Sequence, residues 1–83
     1  MKGEKAMASK REELKAWNKL KKAFPKSYKS LTFEYNNYES EYETFLYRAY
    51  TNKFGPTHGE YCNTPMEAVD NLIQKVREAN HDI

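Results

Sequence analysis

Two histidines, one cysteine and a dense set of carboxylates are the residues in this chain with the types for catalysis or metal binding. His58 and Cys62 stand four positions apart in KFGPTHGEYCN, residues 53–63. In an extended segment that spacing covers about 13 Å, too far for two ligands of one zinc ion with bonds of about 2 Å. The same separation defeats a thiol nucleophile paired with a histidine base. His81 stands alone near the end of the sequence. Glu39, Glu41 and Glu43 alternate, which sets neighbours about 6–7 Å apart on a strand, a separation seen in glycosidase carboxylate pairs. They lie in a polar turn without an apolar pocket to raise one pKa, so they read as solvated turn acids. The GPTHG segment lacks the lysine and following helix of a phosphate-binding loop. Nothing here calls for a metal, a cofactor or a small-molecule substrate, and no catalytic residue is assigned. A chain of 83 residues is also short for a deep cleft. The expectation is a non-enzymatic protein.

Binding chemistry is better represented. Residues 34–50, EYNNYESEYETFLYRAY, hold five tyrosines and four glutamates in seventeen positions. The charge is polarised along the chain. Residues 1–30 carry ten Lys and Arg against three Glu, a net of +7, while residues 31–70 carry seven acids against Arg48 and Lys53, a net of −5. A basic opening segment suits phosphate or an acidic protein surface, and it also suits the acidic part of its own chain. A single cysteine excludes an internal disulfide. Residues 1–10 lack the apolar run of a signal peptide, and no stretch has the length of a membrane span. These features predict a cytoplasmic protein with no membrane partner.

The elements that must position these residues follow from periodicity. In residues 9–24, SKREELKAWNKLKKAF, Leu14, Trp17, Leu20 and Phe24 recur at three- and four-residue intervals and share one helical face. Ser9 and Glu12 match a capping box, and Pro25 ends the helix at Phe24. Leu31, Phe33 and Tyr35 then alternate with polar residues, as on a half-buried strand. A second strand follows the turn at 36–41. Burying Arg48 without a partner is costly, so Phe45, Tyr47 and Ala49 are assigned inward and Tyr42, Leu46, Arg48 and Tyr50 outward. A third strand is predicted over about 57–62, with Tyr61 inward and His58, Glu60 and Cys62 outward. The last helix has Thr64 as N-cap, Pro65 at its first position, Glu67 completing a capping box, and Val69, Leu72, Ile73 and Val76 as its buried stripe. The resulting fold class is α+β, in the order α-β-β-β-α: one domain over 1–83, a three-stranded antiparallel meander with both helices packed on one face. Residues 1–8 and 81–83 are expected to fray.

Two surfaces emerge as binding candidates. The first is the uncovered sheet face with Tyr42, Leu46, Arg48 and Tyr50, suited to another protein, with self-association through that face or a strand edge as a variant. The alternative is a nucleic-acid surface on the first helix, carried by Lys15, Lys19, Lys22 and Lys26.

Three resemblances bear on these surfaces. The element order and GPTH at 55–58 resemble the double-stranded-RNA-binding domain. In that family the Gly-Pro-x-His loop follows the first strand, whereas here it precedes the third, so its RNA contacts are not transferred. Residues 42–79 are similar to the three-strand-plus-helix DNA-binding domains of phage integrases: FLYRAYTN resembles their central strand and TPMEAV their entry to the helix. That likeness implies a sheet laid in a major groove, with Arg48 reading bases. In length and style the chain also resembles small phage accessory proteins, many of which bind and modulate a host protein.

Overall fold

The computed structural model describes residues 8–36 and 44–80. Helix α1 spans Lys10–Ala23. Its capping box is formed as expected: the Glu12 N–H donates to Ser9 Oγ at 3.1 Å and the Ser9 N–H donates to Glu12 Oε1 at 3.2 Å. Strands β1 (Lys29–Asn36), β2 (Thr44–Thr51) and β3 (Thr57–His58) form one antiparallel sheet in the order β1-β2-β3. Helix α2 spans Pro65–Asn80, with Thr64 Oγ1 accepting the Glu67 N–H at 3.1 Å. The α-β-β-β-α order and the mixed class are therefore as the sequence implies. Gly55 takes a φ of 95° in the turn before β3, a backbone region that favours glycine.

Both helices pack on the same side of the sheet. Ala16 and Leu20 of α1, Phe24 just after it, and Ala68, Val69, Leu72 and Val76 of α2 close over Tyr47 and Ala49 of β2. Leu20, Phe24, Val69, Leu72 and Val76 are fully buried, each contributing roughly 1.5–3 kcal/mol of hydrophobic stabilisation. The register pairs Leu31 with Ala49 and Phe33 with Tyr47, so the odd-numbered residues of β1 and β2 share the inner side. Helix α1 leans chiefly on α2 and touches β1 lightly. Hence Leu14, expected on the buried face, is 58% exposed, and Trp17 is only half-buried. The side chains of Tyr35 and Phe45, expected in the core, fall outside the described residues.

The third segment departs most from simple alternation. Gly59 N–H donates to Ala49 O at 2.9 Å, and Tyr47 and Cys62 exchange both backbone bonds at 2.8 Å. Between these two positions, Glu60 and Tyr61 face the single residue Arg48. One surplus residue in a ladder is a β-bulge, and it inverts the side-chain phase beyond it. Tyr61 therefore lies outward and Cys62 inward against the core, the reverse of the alternation expected for 57–62. The bulge forms where α2 passes close to the strand. A Cβ on Gly59 would stand 2.9 Å from Asn71 Oδ1 and 3.2 Å from Leu72 N, and the same Oδ1 accepts the Glu60 N–H at 2.7 Å.

Candidate functional site

With both helices on the inner side, the even-numbered residues of β1 and β2 form a second face that neither helix covers. Leu46, Arg48 and Tyr50 stand side by side on it, opposite Glu34, Thr32 and Ser30. The register of β3 adds His58 beside Tyr50, and the bulge adds Tyr61 beside Arg48. Tyr28, two residues ahead of Ser30 and in phase with it, closes the row. Tyr42 lies outside the described residues.

The rings on this face are already packed against one another. Tyr50 lies 4.8 Å from the His58 ring, centroid to centroid, and meets Tyr28 edge-on at 5.8 Å. The Arg48 guanidinium sits 4.4 Å over the Tyr61 ring and 3.7 Å from Glu34 Oε1. The Tyr61 hydroxyl donates to the same oxygen at 3.0 Å, while Thr32 Oγ1 donates to Glu34 Oε2 at 2.5 Å. The Thr32 hydrogen bond is the main influence lowering the Glu34 pKa; partial burial opposes it, and Tyr61 and Arg48 add to it. Burial, then the bond to Glu34, pushes the Tyr61 phenol up. One Arg48 nitrogen, Nε, is buried and makes no hydrogen bond. Chemically this is a face for stacking and shape recognition, with one cation fixed at its centre. Glu34, the described carboxylate at its centre, is held toward its ionised form rather than driven toward general-acid work.

The lysine surface lies elsewhere. Lys15 and Lys22 are exposed on α1, and Lys26 is exposed in the turn after it. Lys19 bonds Asp70 of α2 at 2.5 Å. Lys19, Lys22 and Arg77 border a shallow hollow of about 400 Å³ between the helices, with Asp70 among its walls. Because α1 covers the inner side, these lysines and the outward tyrosines face different directions, and no flat partner spans both.

Of the expected protein-binding residues, Leu46, Arg48 and Tyr50 are brought together. Tyr28 and Tyr61 were missed. The signal for Tyr28 was present, since it keeps the parity of Thr32 and Glu34; that for Tyr61 was masked by the bulge. Cys62 is half-buried, and burial, followed by the charges of Glu67 and Glu60, pushes its thiol pKa up. Among the described residues no three His, Cys, Asp or Glu cluster as metal ligands, and no helix is long and apolar enough to cross a membrane. Comparison of the chain with protein-family models, curated proteins and solved structures finds no match.

Proposed function

We propose that this chain is a small non-enzymatic binding protein that engages another protein through the outer face of its sheet. The observation carrying this reading is the pre-stacked array of Tyr28, Tyr50, His58, Tyr61 and Arg48 on the face that neither helix covers. Tyrosine and arginine are enriched among the residues that anchor protein interfaces: tyrosine buries much area for few rotatable bonds, and the planar guanidinium stacks on rings and donates several hydrogen bonds. Contacts already made in the free chain reduce the ordering cost of binding. Glu34 and Glu60 border the array and favour a partner with basic groups around an apolar centre. Tyr42 remains part of this reading through its position in the sequence. The free thiol of Cys62 fits a reducing compartment such as the cytoplasm.

A random-peptide display selection against the immobilised full chain tests this and requires no identified partner. Backbone amide shifts on adding a selected peptide are expected at Leu46, Arg48, Tyr50, His58 and Tyr61. In parallel, labelled duplex DNA, single-stranded DNA and RNA are titrated at low and physiological salt. Binding that falls steeply with salt and is lost on reversing Lys15 and Lys22 to Glu supports the nucleic-acid alternative instead. Peptide shifts confined to α1, or no selectable peptide, overturn the proposed face.

A further inference from the structure

A second surface lies at the end of the sheet where β1 begins and β2 ends. Lys29 pairs with Thr51 there, about 23 Å along the ladder from the Asn36–Thr44 pair. The segment leading into β1 and the turn after β2 are tied together at this end. The Asn52 N–H donates to Tyr28 O at 3.2 Å, and the Tyr28 N–H donates to Asn52 Oδ1 at 3.1 Å. Thr51 Oγ1 donates to the same Tyr28 carbonyl at 3.1 Å. The Lys29 ammonium donates to Ser27 O at 2.9 Å, and the Gly55 N–H donates to Asn52 O at 3.2 Å. These bonds hold residues 27–29 and 51–55 together as one ordered end.

Two large rings stand in water on it: Tyr28 is 63% exposed and Phe54 45%. Cations surround them. Lys26 and Lys53 are exposed, and the Lys53 ammonium lies 5.3 Å over the Phe54 ring. The charge of the contributing segments has one sign. Residues 14–33 hold six lysines and no acid, and residues 44–59 hold Arg48 and Lys53 and no acid. The dipole of α1 accounts for Lys21 and Lys22 in its last turn. It does not account for Lys26, Lys29 and Lys53, which lie outside both helices. Solubility would explain the lysines but not the exposed rings between them.

We infer that this end binds single-stranded nucleic acid, with bases stacked on Tyr28 and Phe54 and phosphates held by Lys26, Lys29 and Lys53. Lysines beside exposed rings are what such a ligand requires, because it offers a charged backbone and unpaired bases together. A duplex keeps its bases stacked on one another and would use only the lysines. An acidic peptide would likewise answer the charges but not the rings. The Lys53 ammonium beside Phe54 sets a phosphate contact next to a stacking surface. The site is distinct from Lys15 and Lys19 of α1, the latter already engaged by Asp70. It does not depend on the protein-binding reading of the outer face, with which it shares only Tyr28.

Fluorescence anisotropy of labelled single-stranded DNA and RNA with the full chain, over a range of salt, tests this, with the duplex of the same sequence alongside. Three phosphate contacts predict that log affinity falls with log salt at a slope of about −2. Tyr28→Ala and Phe54→Ala each remove an exposed side chain and keep the backbone bonds, so thermal unfolding should be little changed. Each is expected to weaken single-strand binding by roughly fivefold or more with the slope retained. Combining Lys26→Ala with Lys53→Ala should instead flatten the slope by about 1.4. Tyr61→Ala, on the outer face, leaves binding unchanged. No single-strand binding at low salt overturns the inference. So does binding that both ring variants leave intact, or that is lost in Lys15→Ala but not in the Lys26 and Lys53 variant. Cosedimentation with phosphatidylserine vesicles through the same residues, without single-strand binding, would assign this end to a membrane surface and overturn it as well.

Discussion

Tyr47→Phe isolates one hydroxyl in the fold. The Tyr47 side chain is 3% exposed, and its oxygen accepts the Ala8 N–H at 3.0 Å while donating to Glu13 Oε2 at 2.6 Å. The phenylalanine ring keeps the packing against Phe33, whose centroid lies 4.6 Å away, so the loss is confined to those two bonds. A hydrogen bond to a charged group is worth about 1.5–3 kcal/mol and a neutral one about 0.5–1.5 kcal/mol. Glu13 and Ala8 are only half-buried and regain part of this from water, which leaves an expected loss of about 2 kcal/mol. Linkage supplies an independent check. Burial, and then the bond to Glu13, pushes the Tyr47 phenol up to about 12. The unfolded phenol ionises near pH 10, so its contribution is fully present below that pH and is lost as pH rises toward 12. Urea unfolding of both proteins at pH 7 and again between pH 10 and 12 reads both effects. The stability gap is expected to be about 2 kcal/mol at neutral pH and to shrink toward zero in alkali. A gap below about 0.5 kcal/mol at pH 7, or one that does not change with pH, refutes the reasoning.

Three further outcomes follow from the same structure. Gly59→Ala drives a methyl group against the Asn71 amide and the α2 backbone, and is expected to cost about 1–3 kcal/mol by urea unfolding. Lys19→Ala removes an ion pair whose side chains are both about half exposed, so its unfolding free energy should shift by less than about 1 kcal/mol. Glu34 has its pKa lowered in the fold, so its contribution is present above the ordinary glutamate range and is lost as pH falls through the folded value. Glu34→Gln should therefore be less stable at pH 7 by at most about 1 kcal/mol, with the difference closing in acid.

The sequence was most informative where one periodicity served one element. Ser9 with Glu12, and Thr64 with Pro65 and Glu67, marked both helix starts, because capping is decided by residues within one turn. The cost of burying Arg48 fixed the phase of β2 correctly, and with it the outward placement of Leu46 and Tyr50. Leu14 was misread because helical spacing reports which residues share a face, while burial depends on what the rest of the chain sets against that face. Tyr61 and Cys62 were misread because a bulge depends on Asn71 and Leu72 of α2 crossing at Gly59, a tertiary constraint that alternation does not encode. The ring contacts of Tyr28 with Tyr50, and of Arg48 with Tyr61, likewise depend on register and bulge together.

The outer sheet face as a protein-binding surface is tested most directly by titration calorimetry of a display-selected peptide against the wild-type chain and Tyr50→Ala, with thermal unfolding of each. The account predicts at least about tenfold weaker binding to Tyr50→Ala with a nearly unchanged Tm. Equal affinity for the two proteins, with the Tm intact, would contradict it.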